Sequence, residues 1–335
     1  MLELAPVTPG SSKSEAIDRA LTSATEAEEA GFQRFWFTEH HGAAGQASVD
    51  PVQLAALAGR ETTRIRVGTG AVLVNHYSAF SVAERFAQLE ATVPGRIDMG
   101  LGRATSGPVI DAALRRDRRG RHADDFSEQV QEIIAHFHDG FADNHPFGQI
   151  PVSAGLSTTP ETWILGSSGN SAGLAGQLGV GYAFAGFLNP MNAGGAVAAY
   201  REAFRPTRFG AGTPRAMLGI NIVAAEDDDD AHRLTWVSRA AWARVPTGNT
   251  FLPTLTEAEH ELPAAKKAES SDVAGARIPS QLSGTPRTLR DRIQRIVDAT
   301  GATEIVVQDM LVEPDLRRRS REIVAAAISE VDGPS

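Results

Sequence analysis

The chain has 335 residues, 42% of them hydrophobic and 22% charged, with a formal net charge of −9 and no cysteine. Its longest apolar runs fall well short of the roughly 20 residues of a membrane helix, disulfides and thiolate metal sites are excluded, and the acidic balance speaks against a broad nucleic-acid surface. The remaining class is a soluble globular protein, and because residues 1–10 lack the basic start and apolar core of a secretory signal, a cytoplasmic location is expected.

Short β-like runs alternate with helical patterns. LELAPV (2–7) reads as a strand, followed by a helix over 14–30 with Ser14 as N-cap and Gly31 as stop. FQRFWFTEH (32–40) is the second strand, and Asp50 caps a helix over 51–61 that begins on Pro51. A third strand over 65–74 precedes a helix over 82–92, and a fourth over 96–102 precedes one over 125–137. Strands follow at 162–166, 181–185 and 216–225, with helices at 171–178 and 192–204 between them. The eighth strand, 304–310, lies between helices over 286–300 and 314–328.

Strands that are apolar on both faces and alternate with helices predict a parallel sheet. Eight such units favour an α/β fold closed as a (β/α)8 TIM barrel, one domain over 1–335, rather than an open doubly wound sheet. Between strands seven and eight, residues 245–286 break the repeat and are rich in Pro, Gly, Ser and charge. Long connections of this kind are functional or mobile; this one reads as an insertion over one barrel end, either a lid or an unstructured excursion. The basic run 115–122 reads as a solvated loop entering a helix.

In such a barrel the active site lies at the C-terminal strand ends, and four of these are polar. Strand two ends on Glu39-His40-His41, strand three on Asn75-His76-Tyr77, strand four on Arg103 and strand five on GSSGNS, residues 166–171. Adjacent strand residues face opposite ways, so His40 shares a face with Trp36 and Thr38, while Glu39 and His41 share the other with Phe35 and Phe37. No HExxH motif or second carboxylate–histidine pair supplies the three or four ligands of a metal site, and no metal is expected. HFHDG (136–140) reads as a solvated helix end. Two readings of the Glu-His-His cluster remain: structural hydrogen bonding, or a histidine acting as acid or base near neutral pH.

GSSGNS stands directly before a helix, where free N–H groups and the helix dipole suit an anion. Ser167, Ser168 and Ser171 add hydroxyls and Arg103 a charged donor, although an ordinary N-capped turn explains the same residues. With neither a Walker motif nor a dinucleotide fingerprint, a mononucleotide phosphate fits best. GTGA (68–71) puts small residues inside a strand, for close approach of a ligand or for barrel packing.

The motifs FWFTEHHG (35–42), RIRVGTGAVLVNH (64–76), LEATVPGRIDMGLGR (89–103), RRDRRGRHADDFSEQVQEI (115–133) and WILGSSGNSAGLAGQLGVGYAFA (163–185) together resemble the bacterial luciferase-like flavin-dependent monooxygenases, and within them a branch found with polyketide-tailoring enzymes. The resemblance implies FMN held across the C-terminal end of the barrel. It places His40 as the active-site histidine, and Arg103, Gly166, Ser167, Ser168 and Ser171 at the FMN phosphate. Gly70 and Ala71 match a non-prolyl cis peptide beside the flavin ring, and Trp36, Thr38, His76 and Tyr77 fall where a substrate pocket is expected. Asn75, where many relatives carry proline, and Gly102, in place of a cysteine, depart from the family pattern.

The implied activity is that of a two-component monooxygenase. Reduced FMN (FMNH2) comes from a separate NAD(P)H-dependent flavin reductase, and O2 is the co-substrate. A small organic substrate, such as an aromatic polyketide intermediate of antibiotic biosynthesis, is hydroxylated or epoxidised. A homodimer through helices beside strands two and three is implied as well. The alternatives are a deazaflavin-dependent hydride-transfer enzyme of the same fold, a non-catalytic flavin-binding protein and, more remotely, a hydrolytic metal barrel.

Overall fold

A computed structural model describes residues 1–114, 125–269 and 278–333; the basic run 115–122 lies outside the described residues. Ten strands build one sheet: β1 Leu2–Glu3, β2 Arg34–Phe37, β3 Arg66–Thr69, β4 Val72–Leu73, β5 Ile97–Gly102, β6 Glu161–Gly166, β7 Gly181–Ala185, β8 Ala216–Ala224, β9 Gln281–Gly284 and β10 Glu304–Gln308. The parallel order β10-β1-β2-β3-β5-β6-β7-β8 closes on itself because β10 also pairs with β8. The eight-stranded (β/α)8 barrel expected from the alternation is therefore present. The run read as one strand over 65–74 is two, β3 and β4, each pairing with β5, and the Gly70–Ala71 peptide between them is cis.

Among the described residues twelve α-helices accompany the sheet: α1 Lys13–Glu29, α2 Pro51–Glu61, α3 Ala79–Thr92, α4 Pro108–Leu114, α5 Phe126–Ala135, α6 Gly169–Leu178, α7 Ala193–Ala203, α8 Asp228–Arg244, α9 Leu255–Glu261, α10 Ala264–Lys267, α11 Pro286–Thr300 and α12 Pro314–Ser329. Asp50 caps α2 as expected, accepting from the Val52 and Gln53 N–H groups. Helix α1 starts earlier than Ser14. Ser12 is its N-cap, because Glu15 three residues on reaches back to the Ser12 N–H and completes a capping box. No helix of the described residues is long and apolar enough to cross a membrane.

Alternation along the strands sorts the core. Phe35, Phe37, Ile97, Leu101, Tyr182 and Phe184 point outward into the large cluster beneath the helices. Leu2, Trp36, Trp163, Ala183 and Met217 form a separate cluster inside the barrel.

The N-terminal barrel end is closed by balanced charge. Arg34 pairs with Asp98 at 2.8 Å and Glu304 at 2.9 Å, Arg66 with Asp98 at 2.7 Å, and Arg215 with Glu161 at 2.5 Å and Glu304 at 2.7 Å. The Trp36 indole adds a 2.8 Å hydrogen bond to Asp98. Three guanidinium groups thus meet three carboxylates, and space for a ligand is left at the other end.

Residues 245–269 and 278–286 carry more regular structure than their composition suggests. Leu252, Ala258 and Leu262 pack against Val237, Ala240 and Ala241 of α8, and Arg244 pairs with Glu257 and Glu261. The segment also contributes the unforeseen strand β9. The first half of β8, Met217–Asn221, pairs with β10, and its second half, Asn221–Ala224, pairs with β9 outside the barrel ring.

Candidate active site

A cavity of about 520 Å³ opens among the C-terminal strand ends. Of the residues singled out in the sequence, Trp36, Thr38, His40, Gly70, Ala71, Arg103, Gly166 and Ser167 line it. Ser168 and Ser171 belong to the same turn but do not line the cavity. His76 and Tyr77 are not among the residues that line it. The chain after β4 coils into a 3-10 turn over Val74–His76, and the Tyr77 hydroxyl is directed to Glu39.

His40 enters the cavity on the face it shares with Trp36 and Thr38, as strand alternation requires. Its Nδ1 lies 3.0 Å from the Thr38 hydroxyl, which itself lies 3.3 Å from the Glu3 carbonyl. A hydroxyl that donates to that carbonyl accepts from Nδ1–H, and Nε2 then keeps the lone pair a base needs. Burial first, then the neighbouring His41, hold the imidazole down at about 4. His40 is therefore neutral at pH 7 and accepts protons there.

Glu39 organises the wall behind it. Its side chain is fully buried. One carboxylate oxygen meets His41 Nε2 at 2.7 Å and the Tyr77 hydroxyl at 3.0 Å, and the other accepts the Leu73 N–H at 3.1 Å. Burial, then Glu39, push the Tyr77 phenol above its ordinary value, so it stays protonated and donates. Glu39 thus ties the end of β2 to β4, just past the cis peptide.

The opposite end of this wall gathers hydrogen-bond donors. Ser168 is the N-cap of α6 but makes no side-chain cap bond, which leaves first-turn N–H groups for another acceptor. The carbonyls of the turn are occupied: that of Ser168 accepts from Ser171 Oγ at 2.9 Å and the Tyr182 hydroxyl at 3.2 Å, and that of Ser167 from Asn189 Nδ2 at 2.9 Å. The turn therefore offers donors. A Cβ on Gly166 would lie 2.1 Å from Ser171 Oγ, so only glycine permits this geometry. Arg103 reaches the cavity with its guanidinium carbon 5.6 Å from the Phe126 ring centroid. Between the two ends Gly70, Ala71 and Gly102 present no long side chain, and a Cβ on Gly70 would meet Leu2 at 2.6 Å. A low wall that ends in donors and a guanidinium fits a planar ring carrying a phosphate.

No individual residue of the remaining walls was singled out in the sequence, although Val245, Phe251 and Leu252 fall in the segment read as an insertion over one barrel end. Leu4, Gln308 and Met310 come from the ends of β1 and β10, Trp242 and Val245 from the end of α8, and Phe251 and Leu252 from the segment after it. Gln308 left a signal, a carboxamide interrupting the apolar run of β10; the others carry no motif. The Gly45 N–H donates to Thr250 Oγ1 at 2.9 Å, joining the loop after His40 to that segment above the cavity. The HFHDG reading also needs correcting. His136 is buried with neither ring nitrogen paired, packed edge-on against Phe80 and Phe141.

The model of the family described as luciferase-like monooxygenase matches residues 2–304. A luciferase-like monooxygenase of Escherichia coli strain K12 is 33% identical over 335 residues, covering 99% of this chain and 97% of that protein. Among solved structures, apo-MsnO8 is similar with a TM-score of 0.86 and 33% identity over 98% of this chain and 97% of that one. The oxygenating constituent of 3,6-diketocamphane monooxygenase from Pseudomonas putida, in complex with FMN, shares the fold with a TM-score of 0.73 at 18% identity over 100% and 99% of the two chains.

Proposed function

This chain belongs to the luciferase-like monooxygenase family, and from that premise we propose that it is the oxygenating component of a two-component system that uses FMN. Arg103, Ser167 and the first turn of α6 hold the phosphate, with Gly166, Ser168 and Ser171 shaping the turn. Gly70, Ala71 and Gly102 form the bed of the ring system. Reduced FMN, once bound, supplies the electrons that activate O2. His40 accepts and returns a proton at Nε2 during oxygen transfer. Trp36 and the apolar walls exclude water, which protects a reactive site from side reactions. A separate NAD(P)H-dependent flavin reductase delivers the cofactor, and the chain works as a homodimer through α2 and α3. The substrate is a small organic molecule, an aromatic polyketide intermediate that is hydroxylated or epoxidised; the aromatic side chains Trp242 and Phe251 on the cavity wall support this.

The observation that carries the reading is that His40 and the Arg103–Ser167 donor set line one cavity, with Gly70 and Ala71 on the same wall. The test supplies the chain with FMN, a flavin reductase and ¹⁸O2 across a panel of aromatic polyketides, with products read by mass spectrometry. One ¹⁸O atom per product is expected. Turnover only with a reduced deazaflavin, with no oxygen incorporated, would replace this reading by hydride transfer.

A further inference from the structure

Gln308 has no role in the reading above. It is 3% exposed, it lines the cavity, and its Oε1 meets no hydrogen-bond partner. In register it is level with Leu2 of β1 and Asn221 of β8. Asn221 is also buried, and both of its amide atoms are unpaired. Two adjacent carboxamides thus lie toward the C-terminal end of the barrel with Gln308 Oε1 and both Asn221 amide atoms unpaired, and Leu2, Leu4 and Met310 join Gln308 on the cavity wall as apolar residues. Buried polar groups are nearly always paired, so an unpaired one on a cavity wall marks a missing partner.

Topology says which partner. In the closed ring β10-β1-β2-β3-β5-β6-β7-β8, strand β10 stands diametrically opposite β5. Gly102 ends β5 and Arg103 follows it, so the small-residue wall and the anion end lie across the barrel from Gln308. His40, at the end of β2, is two strands from each. The flavin bed and Gln308 therefore face one another with the imidazole between them, and Gln308 lies on the side left for the substrate.

We propose that Gln308 is a specificity-determining residue that reads an oxygen, a carbonyl or a hydroxyl, on the buried end of an otherwise apolar aromatic substrate. The inference rests on the flavin-binding reading above. A carboxamide has one accepting and one donating end, and rotation of its terminal torsion presents either. It therefore pairs with a ketone through Nε2 or a hydroxyl through Oε1. An all-carbon end leaves it unpaired and is rejected.

The test measures binding of 1-tetralone, 1-tetralol and tetralin, one bicyclic skeleton with and without oxygen, to FMN-saturated wild type, Gln308→Leu and Gln308→Glu by calorimetry. Wild type should bind both oxygenated probes about tenfold more tightly than tetralin, the value of one hydrogen bond. Gln308→Leu should bring all three within about twofold. Gln308→Glu, at a pH high enough to ionise its buried carboxyl so that it only accepts, should favour tetralol over tetralone. FMN affinity should be equal in all three proteins. A preference for oxygen that survives in Gln308→Leu, or is missing from wild type, would overturn the proposal. Equal binding of the probes by every protein would mean that the two amides hold only a buried water. Loss of FMN affinity in Gln308→Leu would assign the residue to the flavin and overturn it as well. A wild type that binds no FMN would instead sink the flavin reading itself.

Discussion

His40 shows how far a single side chain was legible. Alternation from Trp36 through Thr38 put its ring inside the barrel, but its protonation state depends on burial, which sequence does not display. Replacing it with alanine should leave FMN affinity within about twofold and lower oxygen transfer by about 10²–10⁴-fold, the usual share of acid–base assistance; single-turnover product formation checks this. Its titration has a sign that can be worked out. Below about 6.5 an unfolded chain takes up a proton that folded His40 refuses until about 4. Stability should therefore fall as the pH drops through that window and be unaffected by His40 above it. His136 and His138 are also held down by burial, so His40→Asn should reduce the acid slope of urea-denaturation free energies without abolishing it. An unchanged slope would contradict the assignment. Arg103→Ala should weaken FMN binding about tenfold or more by removing a charge-assisted partner of the phosphate, read by quenching of flavin fluorescence. Gln308 and the unpaired His136 show the other limit: their environments are made by chain segments far away in sequence.

At the scale of elements, most strands and helices followed from periodicity because both strand faces are apolar and the caps are conventional. Misreadings occurred where tertiary contacts decide. The cis peptide at Gly70–Ala71 was implied by the family resemblance, but the split of strand 65–74 into two was not read from periodicity, and Ser12 outcompetes Ser14 through its pairing with Glu15. Strand β9 exists because the end of β8 has an edge left over once β10 has closed the barrel. The contact between the His40 loop and the segment after α8 was invisible for the same reason, although Gly45 is its signature. A Cβ there would lie 2.1 Å from the Thr250 carbonyl oxygen, and a backbone atom cannot swing away as a side chain can. Gly45→Ala should cost about 1–3 kcal/mol, the range of overpacking. It should also speed amide exchange at residues 249–252 while leaving the barrel strands protected. Unchanged exchange would mean that this contact does not hold the segment.

At the scale of the whole molecule, the two barrel ends divide the work. The C-terminal end holds the cavity, and the N-terminal end is sealed by Arg34, Arg66 and Arg215 against Asp98, Glu161 and Glu304. Breaking a buried ion pair from one side costs up to about 3–5 kcal/mol, and loss of Arg34 leaves Arg66 and Arg215 to balance all three carboxylates. Arg34→Met should therefore lower the unfolding free energy by up to that amount and leave FMN affinity within about twofold. A parallel loss of FMN binding would show that the ends are not independent. The barrel itself was legible from eight alternating units; the floor was not, since its six charges are scattered from Arg34 to Glu304 and meet only when the ring closes. The central claim is that one FMN molecule lies between His40 and Arg103. A crystal structure of the chain with FMN tests it most directly. Density for the phosphate at Arg103 and the Gly166–Ser171 turn, with the ring system on Gly70 and Ala71 and within reach of His40, is the expected result. Density elsewhere, or a flavin bound with no approach to His40, would contradict it.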